Sequence, residues 1–255
     1  MSTSTLNKTI FTPALYTQVT DLWLQDTPLD GSSVDETVIK RWFAGTPDER
    51  LAFDATCKAR FGAALHSIGP SNLPNASTAP FLHDLQQHSS DSSAAAWTAL
   101  SQVILLDQIP RNIFRTDDTL KTVYTHYDAL ASSLTTTLLS SSRPDLHPQW
   151  RASTAHRMWF YLPLMHSEDL AAHDTLKRIL DEFDQELATR DGCEASKYMI
   201  KQQFKAEQEH REILERFGRY PHRNGALGRE STEEERVFLE GGGATFGVVQ
   251  KKGST

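Results

Sequence analysis

Apolar residues recur at three- and four-residue spacing along almost the whole chain, and runs that alternate β-branched with polar residues are nearly absent. That periodicity gives each of a series of helices one apolar stripe and leaves strands nothing to build on, so the fold class it predicts is all-α. Helical candidates lie near 13–24, 33–43, 47–67, 92–109, 117–140, 149–161, 167–189, 194–217 and 231–240. Such a density suits a bundle or a solenoid. In 255 residues with 38% apolar content it fits a single domain over 11–246, with tails expected over 1–10 and 247–255.

The helix boundaries carry local signals. Pro47-Asp48-Glu49 opens a helix with a proline whose missing N–H costs little and acids that suit the dipole. Gly69-Pro70 to Pro80 is expected to be a loop. Ser231–Glu234 and Thr232–Glu235 both match a capping box, which fixes a helix start there without fixing its register. Gly241-Gly242-Gly243 is expected to stop that helix; it lacks the Lys-Ser/Thr of a phosphate loop.

Charge and cysteine content exclude several functions. A net charge of −7 repels phosphate backbones, so bulk nucleic acid is not an expected partner. Met158–Met165, the longest strongly apolar run, is interrupted by Pro163 and too short to span a bilayer, so no membrane association is expected. The first ten residues lack a secretory apolar core, and Cys57 and Cys193 stand apart, which points to a reducing, cytoplasmic setting without disulfides.

Several polar residues fall where apolar ones belong. Asp107 ends a stripe of Trp97, Leu100 and Ile104, and it reads either as a helix-end ion pair with Arg111 or as a carboxylate held in a pocket. His210 shares a face with Ile213, Leu214 and Phe217; alone it would be a satisfied core histidine, but Arg219, His222, Arg223 and Asn224 follow closely. Tyr161-Leu-Pro-Leu-Met-His166 reads as a helix end stopped by Pro163, followed by Ser167 as an N-cap and by Glu168 and Asp169 in the next first turn. That accounts for Ser167, Glu168 and Asp169 but not for His166. An echo links Pro110-Arg111-Asn112…Arg115 to Pro221-His222-Arg223-Asn224…Arg229, each just beyond a helix end. No HExxH-type spacing supports a metal site on His166, Glu168, His210 and His222, and no nucleophile elbow surrounds Ser167, so neither a metal nor an organic cofactor is expected.

The runs Ile104-Leu-Leu-Asp-Gln-Ile-Pro-Arg-Asn-Ile-Phe-Arg115, Tyr161-Leu-Pro-Leu-Met-His-Ser-Glu-Asp169 and Phe217-Gly-Arg-Tyr-Pro-His-Arg-Asn224 with Leu227-Gly-Arg229 resemble the signatures of the uncharacterised DUF924 family, in order, over roughly Val19 to Phe246. The resemblance implies a TPR-like stack of antiparallel helices. It marks Asp107, Arg111, Asn112, Arg115, His166, Ser167, Glu168, Asp169, His210, Arg219, His222, Arg223, Asn224 and Arg229 as signature polar residues. The chain departs from the family pattern at Thr116, where glycine is common, and at Ala172-His173, where an acid and glutamine are usual.

Two functions follow. In the first, the three clusters meet in a locally basic pocket of a cofactor-independent hydrolase or transferase, acyl or aminoacyl transfer included, acting on an anionic or amide-bearing small molecule. His166, His210 and His222, partnered by Asp107 or Glu168, are then the acid/base candidates, with Arg111, Asn112, Arg115, Ser167, Asp169, Arg219, Arg223, Asn224 and Arg229 holding substrate. In the alternative, the stack is a peptide- or protein-interaction module.

Overall fold

A computed structural model describes residues 5–87 and 92–246, and all regular structure among them is helical. In chain order the helices are α1 (Pro13–Leu24), α2 (36–44), α3 (Pro47–Ser67), α4 (Ala79–Gln86), α5 (Ser92–Asp107), α6 (Ile109–Ile113), α7 (117–140), α8 (Thr154–Arg157), α9 (Leu162–Met165), α10 (Leu170–Ala188), α11 (Glu194–Phe217), α12 (Asn224–Leu227) and α13 (Glu233–Glu240). They form one all-α domain around a continuous core that reaches back to Leu6, so packing begins before residue 11. Of the expected tails, 1–4 and 247–255 lie outside the described residues.

Helix starts follow local chemistry. Thr12 caps α1 and Thr46 closes a capping box with Glu49 on α3, each with proline in the first turn. The ambiguous capping box resolves onto Thr232 and Glu235. Prolines expected at helix ends begin new turns instead: Pro110 and Pro163 lie in the first turns of α6 and α9, and Pro221 opens a 3-10 turn, while Pro80, expected in a loop, lies in the first turn of α4. A proline ring obstructs only the turn before it, so a chain that has already changed direction starts again there. The N-cap of α10 is Asp169, accepting from the Ala171 N–H; Ser167 accepts from the Asp169 N–H one step earlier.

Every residue of α5 from Thr98 to Asp107 is buried, so α5 is a central helix rather than one with a single apolar face. Around it pack α1, the α6 turn and α7. α10 and α11 form an antiparallel hairpin, shown by the pairing of His173 with Glu207, Asp174 with Arg211 and Asp184 with Lys201. No helix among the described residues is long and apolar enough to cross a membrane.

Candidate functional site

The site is assembled at the C-terminal end of α5. Asp107 is 1% exposed there, and a carboxylate at the negative pole of a helix needs cationic or N–H partners. His166 Nδ1 lies 2.8 Å from its Oδ1, Arg111 Nη2 lies 3.4 Å from the same atom, and Gln108 donates to Oδ2 at 2.6 Å. Burial pushes the Asp107 carboxyl up, but His166 and Arg111 outweigh it and hold it below its ordinary value. An ionised carboxylate only accepts, so His166 Nδ1 must carry the proton, leaving Nε2 as the atom that gains or loses one.

Arg111 also donates to Asp128 Oδ1 at 2.8 Å, and Arg223 Nη1 lies 3.6 Å from Asp128 Oδ2. Arg223 donates to the His166 carbonyl at 2.9 Å, and its guanidinium lies over the rings of Tyr124 and Tyr220. Tyr124 belongs to a π-helical turn, Val123–Tyr127, which interrupts α7 immediately before Asp128. One added residue per turn re-aims the helix face, a device that recurs at functional sites. The Tyr124 hydroxyl and the Nε atoms of Arg111 and Arg223 are buried without a hydrogen-bond partner among the described residues.

A second layer is aromatic. His210 donates from Nδ1 to the Ala206 carbonyl at 2.7 Å and meets Tyr220 edge-on, while His222 stacks on Tyr220. The Tyr220 hydroxyl donates to the Met165 carbonyl, so its oxygen receives His173 Nε2–H at 3.1 Å. His173, one of the departures from the family pattern, is thus a buried wall of the site. Burial, reinforced by neighbouring histidines and Arg223, lowers the His210 imidazole to about 3; burial, reinforced by Arg223, His210, Arg111 and Arg229, does the same to His222, also to about 3. Both rings are neutral near pH 7, so neither is a proton carrier matched to that pH.

These depressed values make stability pH-dependent. Below the unfolded-state value near 6.5 the unfolded chain binds protons that the folded chain refuses. Stability is therefore full above pH 6.5 and falls as pH drops from 6.5 toward 3, by up to about 1.4 kcal/mol per pH unit for each of the two rings. Urea unfolding at pH 7 and pH 5 should show this loss. His210→Leu should remove one share of it.

The remaining expected site residues lie elsewhere. Glu168 is engaged by both terminal nitrogens of Arg229, at 2.8 and 2.9 Å, and by the Tyr220 N–H; burial pushes its carboxyl up, but Arg229 and that N–H hold it below its ordinary value. Arg219 makes a two-pronged pair with Glu235, which also accepts from Asn224. These three bonds to Glu235 clasp α13 to the body. Arg115 is exposed and paired with Asp54, half-buried Asn112 donates to the Gln108 carbonyl, and Ser167 and Asp169 serve the start of α10. Each of the five signature arginines thus faces a carboxylate, and several of those carboxylates come from outside the signatures. The expected basic character is thereby balanced: the site is a charge-matched network.

Asp128, Tyr124 and Phe246 lie outside the signature runs, and Tyr220 lies within one without standing out as a site residue. Tyr124 and Asp128 stand at i, i+4 on an amphipathic helix, a spacing that sets them on one face without marking a site. Among the described residues no group of three or more His, Cys, Asp or Glu side chains converges to hold a metal ion. A concavity of about 450 Å³ adjoins Ser167 and Asp169 between α7 and α10, and another of about 500 Å³ runs between α3, Phe114 and Tyr127.

Comparison with known proteins bears on the fold and the lineage. A solved structure of a protein of unknown function from Agrobacterium tumefaciens is similar, with a TM-score of 0.56 and 29% identity over 89% of this chain and 98% of that one. No curated protein matches. The sequence profile described as "Bacterial protein of unknown function (DUF924)" matches residues 19–243. The chain therefore belongs to the DUF924 family.

Proposed function

We propose that the Asp107–His166 pair is the acid/base centre of a cofactor-independent hydrolase or transferase that acts on an amide-bearing or anionic small molecule. The observation that carries this reading is the 2.8 Å contact between His166 Nδ1 and a buried, ionised carboxylate. A carboxylate in that position fixes the imidazole's tautomer and stabilises the imidazolium formed when Nε2 takes a proton. His166 keeps 19% of its side chain exposed, whereas His210 and His222 are buried and neutral. Arg111, Arg223 and Tyr124 bring donors with unused hydrogen-bonding capacity to the same place, suited to a polarised carbonyl or an oxyanion. The charge balance of the network favours a neutral amide or ester over a multiply charged anion, and acyl transfer is the reaction class it suits best. Buried, unpaired Cys57 and Cys193 support a cytoplasmic setting.

Mass spectrometry of a pooled metabolite extract incubated with the purified protein tests this reading. A metabolite should be consumed by the wild type and turned over about 10²–10⁴-fold more slowly by His166→Gln, the usual contribution of one general acid/base. Equal turnover by the two proteins would remove His166 from the chemistry. Retention of a peptide in the concavity beside α3, without turnover of anything, would favour the interaction-module reading instead.

A further inference from the structure

Phe246 lies in a slot that is aromatic on three sides. Its ring stacks on His210 at a centroid distance of 3.7 Å and an interplanar angle of 15°. It meets His222 edge-on at 5.4 Å and Tyr220 edge-on at 6.1 Å. Tyr220 and His222 are themselves stacked at 5.6 Å, and His210 stands perpendicular to Tyr220, so the slot exists as an arrangement of buried rings on two separate segments, 210 on α11 and 220–222 beyond it. One broad parallel face and two edges are what a flat π-system needs on its sides.

The residue that fills the slot is poorly suited to be permanent core. Phe246 remains 37% exposed and adopts a left-handed backbone conformation, φ 50°, that is strained for a residue with a bulky side chain. It is reached through Gly241, Gly242 and Gly243. Gly242 has φ +83°, and a Cβ at Gly243 would come within 2.5 Å of the Phe238 ring, so this path over the end of α13 depends on glycine. Its anchoring is weighted to one end: the N–H groups of the three glycines bond back to Val237, Leu239 and Phe238, and the phenyl ring lies three residues further on.

The slot also adjoins the proton-transfer centre. Tyr220 donates to the carbonyl of Met165, the residue before His166, and Arg223, the residue after His222, donates to the carbonyl of His166. A ring seated against His210 and a carbonyl attached to it would lie on the side of the network where Arg223 and His166 are joined.

We propose that this slot is the substrate-ring site, that it takes a planar aromatic ring carrying an amide, and that Phe246 is an internal plug displaced when that ring enters. This assignment of a substrate class rests on the acid/base reading of the same site. Because the free protein holds its own ring in the slot, the affinity for an incoming ring is reduced by the fraction of molecules in which Phe246 is seated.

Calorimetric titration with benzamide and with cyclohexanecarboxamide, which has a saturated ring of similar size, tests the proposal on wild type, Phe246→Ala, Phe246→Leu and the double variant Phe246→Ala/His210→Leu. Removal of the plug should tighten benzamide binding by about tenfold or more, with Phe246→Leu between the two. Cyclohexanecarboxamide should bind more weakly than benzamide to Phe246→Ala, and the double variant should lose that preference. Thermal melting confirms that each variant is folded; if the double variant is not, the benzamide preference of the two single variants decides the matter. Equal benzamide affinity in wild type and Phe246→Ala, or no preference for the flat ring, would overturn the slot. His166→Gln in the Phe246→Ala background separates the two readings. Ring binding that persists with no turnover of aryl amides by Phe246→Ala would leave the slot standing and remove the acid/base role. Turnover that depends on His166 but is indifferent to ring flatness would do the reverse.

Discussion

Replacement of Asp107 by alanine should lower the stability of the domain by about 3–5 kcal/mol, the usual cost of removing one partner from a buried ion pair. Domains of this kind are stable by about 5–15 kcal/mol in total, so the substitution should remove a large share of that stability. The physical cause is what the substitution leaves behind. Arg111 and the His166 imidazole lose an acceptor, and Gln108 loses the carboxylate it caps, all at the buried end of α5. Asp128 still faces Arg111, which limits the loss to the lower part of that range if the guanidinium can shift toward it. Asp107→Asn keeps the volume and one acceptor, so it should retain more stability while still removing the charge that holds His166 in its tautomer. Chemical denaturation of the two variants beside the wild type measures both effects. Equal stability of Asp107→Ala and wild type would mean that the network is not the keystone of this end of the bundle.

The second large effect is apolar. Trp159→Ala should cost about 3–5 kcal/mol, because the indole is fully buried and its neighbours cannot close over the space it leaves. Trp159 meets Trp23 of α1 at 5.3 Å and Trp42 of α2 at 4.9 Å, both near perpendicular, and lies parallel to Phe43. Its indole N–H donates to the Ala155 carbonyl within its own segment. The ring therefore joins the N-terminal helices to the 154–160 turn by geometry as well as by area. Trp159→Phe should recover much of the loss, since it restores a ring without the N–H. A loss below about 1 kcal/mol for Trp159→Ala would show that α1 and α2 are held to the body by other contacts.

The helical class, and the bounds of α1, α3 and α11, were legible because their signals are local: proline in a first turn, threonine at a cap, and Gly218 in a left-handed conformation after Phe217. α4 was hidden because its eight residues follow a stretch rich in proline, serine and asparagine, and a proline that opens a short helix looks the same in sequence as one that ends a long one. The π-helical turn of α7 was not legible at all; its residues make contacts distant in sequence, His126 with the Ile68 carbonyl and Tyr127 with the Leu65 carbonyl. At the site, Asp107, Arg111, His166, His210, His222 and Arg223 stood out as polar residues on apolar faces or in signature runs. What the sequence could not show were the partners outside these runs. The carboxylates that neutralise the arginines lie far along the chain, as with Asp54 and Arg115, 61 residues apart, so a window rich in arginine looked basic when its folded surroundings are balanced.

The acid/base role of Asp107 and His166 turns on the position of one proton. Nitrogen-15 NMR of the His166 imidazole in the wild-type protein, followed across a pH titration, reads its position directly. Nδ1 should keep its proton throughout while Nε2 is the nitrogen that gains and loses one, and Asp107→Asn should abolish this preference. A ring protonated at Nε2 with Nδ1 bare, or a tautomer unchanged by Asp107→Asn, would contradict the assignment of Asp107 and His166 as an acid/base pair.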